Sequence, residues 1–359
     1  METTMEMHDL CAIAAREPRC VLATAVKVEG HAYRKQGVSM LLTEEGVRYG
    51  SISPGCLESD LQARVDRVLD KEQLEFVEYD MRPADDLSWG ETIGCGGLII
   101  ILLEPVCGEL RSILSRMHTY FQSGSPVELT RSFYHQYTRI HYVIKVVIHP
   151  SGSGADATDS DSGKSVSQRE GRSEAERWDI PLQISTRYVP KPRLIIVGAG
   201  NDVIPVARLG RSAGFRVVVA DWRETLCTTA RFPGVELIRG FPHEIIPVLD
   251  IRSGDYIVLM SHQFPREREF LELLEDRNYA YLGIMGSRTR TARLLNDLPP
   301  LKHVHSPVGL TIGADGPEEI AISIAAELVA CKHAAAVTEG LNVQRGIAHA
   351  TDGHRASGR

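Results

Sequence analysis

The sequence predicts an α/β protein, with a mixed α+β N-terminal domain followed by a doubly wound parallel sheet. Three observations lead there. The 359 residues are about twice the size of a common single domain, which suggests two. From Ser151 to Arg177 the chain has no Leu, Ile, Met, Phe, Tyr or Trp and is dominated by Ser, Gly, Asp and Glu. Such a stretch cannot bury enough apolar surface to offset its ordering entropy, so it reads as a disordered linker or insertion. Beyond it, strand and helix patterns alternate, as a parallel sheet crossed by helices requires. The expected domains are residues 1–150 and 178–335, joined by the linker at 151–177 and followed by a flexible tail at 336–359.

In the N-terminal half, Cys20 to Val28 and Val38 to Leu42 are rich in branched residues and read as strands. Gly46 to Ser53 reads as a third, joined to its predecessor by a Glu-Glu-Gly turn. Leu57, Leu61, Val65, Val68 and Leu69 recur at helical spacing. Gly97 to Glu104 is an apolar strand stopped by Pro105, and Leu110 to Phe121 an amphipathic helix. Strands near Val127 to Phe133 and His141 to Ile148 complete this half. In the C-terminal half, strands at Leu194–Val197, Arg216–Ala220, Val235–Ile238, Tyr256–Met260 and Ala280–Ile284 are expected. Helices are expected at Val203–Ala213, Phe264–Asp276, Thr289–Leu295 and Pro317–Cys331. The last opens with Asp315, Pro317, Glu318 and Glu319, residues suited to a helix start. This alternation predicts a Rossmann-like domain.

Composition narrows the function classes. Lys plus Arg is 40 against Asp plus Glu at 47, a net charge of −7, so no nucleic-acid partner held by general charge is expected. The longest apolar run, Leu98 to Leu103, falls far short of the roughly 18–20 residues of a membrane helix, so no membrane partner is expected. The opening METTMEMHDL is acidic where an export signal is basic and then apolar, and a cytoplasmic protein is expected. The seven cysteines are scattered with no C-x-x-C, which argues against a disulfide framework or a structural zinc site.

Two stretches are candidate anion sites. Arg193 to Gly200, RLIIVGAG, runs a buried strand into Gly198-Ala-Gly200. The first glycine permits a tight turn, and the second lets backbone N–H groups approach a phosphate at the next helix start, beside Asn201. Asp221 ends the following strand, where a carboxylate accepts hydrogen bonds from ribose hydroxyls. A nucleotide or NAD(P) is therefore a candidate ligand, although Val203 stands where a third glycine is usual. The alternative is a Rossmann scaffold whose ligand site has degenerated. The second stretch is Gly286-Ser287, opening a helix that carries Arg288, Arg290 and Arg293; Arg288 is singled out, against the alternative of a solvated basic face. His262 and His243 are lone histidines and read as structural.

Cys56 and Cys95 are the chemically distinctive cysteines. Cys56, in SISPGCLESDL, lies just before a helix whose dipole favours a thiolate. Cys95 is flanked by Gly94, Gly96 and Gly97, which leave a sulfur accessible and let a large ligand approach the backbone. Both settings suit a soft-metal ligand, a persulfide carrier or a nucleophile, and equally a structural cysteine; the sequence leaves open whether the two meet. Arg34 and Lys35 are either an anion clamp or surface charge.

Together these stretches resemble the XdhC/CoxI family, accessory proteins for molybdenum hydroxylases such as xanthine dehydrogenase. The run Leu22–Leu61 is similar to the family's first signature, and Gly94–Gly97 with Leu103-Glu104-Pro105 to its second. RLIIVGAGNDVIPVARL, GFRVVVADWR, YLGIMGSRTR and IGADGPEEIAISIAAELVA resemble its Rossmann domain. The departures are His31 where serine often stands, Pro54 where glycine is frequent, and Val203. The resemblance implies a non-catalytic chaperone that binds molybdenum cofactor (molybdopterin), helps its sulfuration by a cysteine desulfurase and delivers it to the apo molybdenum hydroxylase. It carries Cys56 and Cys95 over as the motif cysteines, and Gly198, Gly200 and Asp221 as the Rossmann turn and acidic position. A homodimer is expected only from base rates. The rival reading is an NAD(P)-dependent oxidoreductase, for which no acid or base beside a nicotinamide can be named.

Overall fold

The computed structural model describes residues 5–30, 35–81, 97–147 and 182–352. The chain divides after Lys191 into two compact units. In the first, helix α1 (Met7–Ala14) precedes a five-stranded antiparallel sheet with the order β3-β2-β1-β5-β4. Its strands are β1 (Cys20–Gly30), β2 (Ser39–Thr43), β3 (Arg48–Tyr49), β4 (Glu75–Asp80) and β5 (Gly97–Pro105). β1 is buried on both faces, which is why CVLATAV reads as a continuous apolar run rather than an alternation. Val21, Ala23 and Ala25 pack with Leu57, Leu61, Val65 and Val68. Cys20 and Leu22, on the opposite face, pack with α1 and with α4 (Gly108–Gln122). The helical run expected from Leu57 is two helices, α2 (Glu58–Ala63) and α3 (Val65–Lys71), broken at Arg64, whose guanidinium bonds Asp60 and Glu75.

A second sheet has the order β7-β6-β8, from β6 (Val127–Tyr134), β7 (Arg139–Val146) and β8 (Gln183–Tyr188). β8 corrects the domain boundary. It pairs antiparallel with β6, Val127 opposite Tyr188, and so covers an edge of open ladder groups. The second unit thus begins at Pro192 rather than residue 178. The segment read as a linker lies outside the described residues. A buried ion pair joins the two sheets: Arg131 Nε and Nη2 donate to the two oxygens of Glu104, both at 3.0 Å, and Tyr142 Oη donates to the same carboxylate at 3.0 Å. Both charged side chains are 0% exposed.

The second unit is a six-stranded parallel sheet. Its strands are β9 (Arg193–Val197), β10 (Arg216–Asp221), β11 (Glu236–Arg239), β12 (Tyr256–Leu259), β13 (Tyr281–Ile284) and β14 (Val304–His305). The order β11-β10-β9-β12-β13-β14 is that of a doubly wound Rossmann sheet, reversing direction between β9 and β12. The helices are α5 (Val203–Ser212), α6 (Pro242–Leu249), α7 (Phe264–Glu272), α8 (Arg288–Leu295) and α9 (Gly316–Asp352). Alternate residues of β9 face opposite cores: Leu194 and Ile196 meet Val203, Val206 and Leu328, whereas Ile195 and Val197 meet Ile245, Leu249 and Phe270. α9 differs from the expected helix, which stops at Cys331. It continues to Asp352 through an Ala-rich stretch whose two glycines lower helix propensity without ending it. Among the described residues no helix is long and apolar enough to cross a membrane.

Candidate functional site

The strand registers of the first unit bring its motif segments to one end of the five-stranded sheet. Gly30 at the end of β1 lies opposite Gly97 at the start of β5, and Leu98 opposite Asp80 at the end of β4. Thr24 lies opposite Ser39 at the start of β2, and the chain leaving β3 passes Ser39 and Met40 at Gly50. The described flanks of GHAYRKQG, SISPGCLESD and GETIGCGG therefore share that end. Residues 31–34 and 82–96, Cys95 among them, lie outside the described residues.

Cys56 is exposed on a turn built around a buried carboxylate. Glu58 accepts the N–H groups of Ile52 at 3.0 Å and Ser53 at 2.7 Å, and the Ser53 hydroxyl also donates to it. The Ser53 oxygen in turn accepts the N–H groups of Gly55 and Leu57, both at 3.1 Å. Gly55 takes φ +122°, which an L side chain rarely adopts. Burial pushes the Glu58 carboxyl upward, but the Ser53 hydroxyl and the backbone donors outweigh it and hold the group below its ordinary value. The result is a fixed turn with its sulfur outward, ahead of a helix only six residues long. Other cysteines contrast with it. Burial pushes Cys11 up to about 12 and Cys20 up to about 11, so these two are inert packing groups. Among the described residues, no group of three or more His, Cys, Asp or Glu could hold a metal ion.

In the second unit the predicted glycines stand at the switch point. Gly198 has φ +130°, and a Cβ there would lie 2.6 Å from the Met260 carbonyl, so the ends of β9 and β12 approach as only glycine permits. At Gly200 a Cβ would collide with the Asp202 side chain. Asn201 is held by Arg231, which donates to its Oδ1 at 2.9 Å. Asp221 does not face outward. Its Oδ2 accepts the Ala199 N–H and Arg223 Nη2, both at 2.6 Å. Its Oδ1 accepts the Arg223 N–H at 2.7 Å and Nε at 2.9 Å. A carboxylate has about four acceptor sites, so none is left for a ribose.

The helix start at α8 is arranged differently. Ser287 caps it by accepting the Arg290 N–H at 3.2 Å, and Gly286 takes φ +122°. Arg290 turns back to Glu267 at 2.7 Å. Arg288 is exposed and makes no ion pair among the described residues. Glu267, buried, also accepts the Ser261 hydroxyl at 3.0 Å and the His262 N–H at 2.9 Å, which fixes the loop after β12.

His262 is the residue that sequence reasoning passed over. Its Nε2 lies 2.6 Å from Asp202 Oδ2, across the switch point. The Asp202 bond raises its affinity for a proton above that of a free imidazole, against partial burial. Burial pushes Asp202 upward, but the His262 bond and the N–H groups of Asp202 and Val203 bring it below its ordinary value. The signal was position: His262 follows β12 at the carboxyl end of a switch-point strand, where ligands gather. His243 bonds Glu269 at 2.9 Å at the surface. A dinucleotide therefore fits poorly: Asp202 lies over the glycine turn and Asp221 is saturated.

Comparison with known proteins agrees with these motifs. Residues 13–80 match the model of the XdhC and CoxI family, and residues 194–328 that of the XdhC Rossmann domain. A probable xanthine dehydrogenase subunit of Bacillus subtilis (strain 168) is 37% identical over 329 residues, 91% of this chain and 98% of that protein. The molybdenum cofactor insertion chaperone PaoD of Escherichia coli (strain K12) is 23% identical over 326 residues, 87% of this chain and 83% of PaoD. The crystal structure of a xanthine dehydrogenase from Bacillus halodurans is similar at TM-score 0.73 and 36% identity, covering 92% of this chain and 96% of the other. With its two motif domains in order and a relative matched along nearly its whole length, this chain belongs to the XdhC and CoxI family.

Proposed function

We propose that this chain is an accessory protein of a molybdenum hydroxylase of the xanthine dehydrogenase kind. In this reading it binds molybdenum cofactor, supports its sulfuration by a cysteine desulfurase and delivers it to the apoenzyme. The observation that carries the reading is the exposed Cys56 on its fixed turn, in a chain that is 23% identical to a protein named as a molybdenum cofactor insertion chaperone. When bound, the cofactor supplies molybdenum held by dithiolene sulfurs, with a pterin and a phosphate.

The donor chemistry of this chain fits that group in two places. Cys56 offers a soft sulfur to metal or transferred sulfur. Cys95 is the second thiol of the proposal. In the second unit, taken by itself, Arg288 is exposed beside the capped start of α8 and is a candidate cation for a phosphate. Asp202 makes the start of α5 the poorer seat. The fixed Cys56 turn presents its thiol without a folding step, which suits a carrier that must also release its cargo.

The test is the molybdenum and pterin content of the full chain purified anaerobically from a cofactor-producing host, beside Cys56→Ala and Cys95→Ala. Near-stoichiometric cofactor that falls in either variant supports the carrier reading and gives that thiol a role. Retention in both keeps the carrier and removes the cysteines from it. Absence of cofactor, under conditions where a known carrier fills, overturns the proposal.

A further inference from the structure

The doubly wound sheet has the strand order, glycine turn and acidic strand end of a nucleotide-binding domain, yet the glycine turn and the acidic strand end are both occupied by the chain itself. We infer that Asp202 is a specificity residue: its carboxylate occupies the anion seat at the start of α5, so this seat refuses phosphate-bearing nucleotides. This role belongs to the second unit alone and does not depend on the accessory reading.

Four placements lead to it. The space above Gly200, where a phosphate approaches backbone in such folds, is filled by the Asp202 side chain. The Val203 N–H already donates to the Gly200 carbonyl at 3.3 Å, and the N–H groups at this helix start, which a bound phosphate would use, help to hold the Asp202 carboxyl below its ordinary value. His262 holds its outer oxygen at 2.6 Å, and His262 is itself anchored through its N–H to buried Glu267 at 2.9 Å. A second anion here would meet a like charge at close range and compete for donors already spent. Independently, Asp221 gives all its acceptor capacity to Arg223 and Ala199, which removes the ribose contact as well.

The specificity is therefore carried by an internal anion rather than by a missing glycine. Replacing Asp202 with a neutral side chain leaves the glycine turn, the start of α5 without its internal anion, and the His262 ring as a hydrogen-bond donor. Those are the parts of a phosphate site. The expectation is a gain of binding, which a purely structural role for Asp202 does not produce.

The experiment is calorimetric titration of the full chain with inorganic pyrophosphate and, separately, NADH, for the natural protein, Asp202→Ser and Asp202→Asn. The natural protein is expected to show no saturable NADH binding, and no pyrophosphate binding that perturbs the His262 ring, up to about 1 mM. Either variant, with unchanged circular dichroism, is expected to bind pyrophosphate roughly tenfold or more tightly. Saturable NADH binding by the natural protein, or pyrophosphate binding that shifts the His262 ring resonances, overturns the inference, as does the lack of a gain in both folded variants. The ring resonances of His262 give a readout that needs no variant: a saturable shift on adding inorganic phosphate to the natural protein also overturns it. Molybdenum and pterin content is not read in these titrations, so their failure and that of the carrier reading are separable.

Discussion

Two arginine–carboxylate pairs, one in each unit, use the same chemistry for different ends. Glu104 and Arg131 are 0% exposed and lie on different sheets, 27 positions apart in sequence. Asp221 and Arg223 are two positions apart, with the aspartate buried and the arginine 30% exposed. The first pair fastens one sheet to another, and its charges have no recourse to water. The second folds a strand end onto itself at the carboxyl end of β10, where it uses up the acceptor sites of Asp221. Distance in sequence and depth together separate a structural clamp from a local lock.

The largest expected effect breaks the clamp. Arg131→Met leaves Glu104 buried without its cation and is expected to cost about 3–5 kcal/mol. Arg223→Met leaves Asp221 the Ala199 and Arg223 N–H groups and is expected to cost about 1–2 kcal/mol. Hydrogen exchange read separately in each unit checks both, since a chain of two units need not unfold in one step. Equal losses would erase the distinction between clamp and lock.

An effect smaller than that at the clamp sharpens the description of the switch point. Gly198→Ala places a Cβ 2.6 Å from the Met260 carbonyl at φ +130°, and is expected to cost about 1–3 kcal/mol in the second unit alone. Faster exchange confined to β9 and β12 is the expected signature; an unchanged second unit would mean that the two strand ends separate easily.

The smallest effect is the pH dependence of Asp202 and His262. The raised His262 affinity contributes stability that is present below its unfolded value near 6.5 and lost as pH rises through the folded value. The lowered Asp202 value contributes stability present above 3.8 and lost as pH falls through the folded value. The pair therefore contributes most from about pH 4 to pH 6.5. Because the His262 ring is more than half exposed, the gain is small. An NMR titration is expected to give His262 a midpoint above that of a free imidazole, and Asp202→Asn to lower it; Glu267 adds to the elevation and Arg290 opposes it.

What the sequence made legible follows from how local each feature is. The strands β9, β10, β12 and β13 are short, apolar and bounded by glycine or charge, and their positions agree with expectation within a residue or two. The Cys56 turn was legible as a glycine-rich loop before a helix, because Ser53, Gly55 and Glu58 act within six positions. Glu104 in its Leu-Glu-Pro run was visible as a motif, but its partner 27 positions away was not. The Asp202–His262 contact spans 60 positions and depends on the strand order, so a lone histidine gave no sign of it. Asp221 was located correctly at the end of β10, yet nothing local showed that Arg223 would use it up. β8 was missed because QISTRY is polar on alternate residues and gains its place only from the edge of β6.

β8 also changes what the low-complexity stretch is for. β7 and β8 flank β6 in one sheet, so the strands on either side of the stretch between Val146 and Gln183 belong to the same unit. The connection to the second unit is the short run after Tyr188, held to α1 at its end by Lys191, whose ammonium meets Asp9 at 2.5 Å. The sheet holds both ends of the connection between β7 and β8, so changing its length alters a loop-closure entropy that grows only slowly with length.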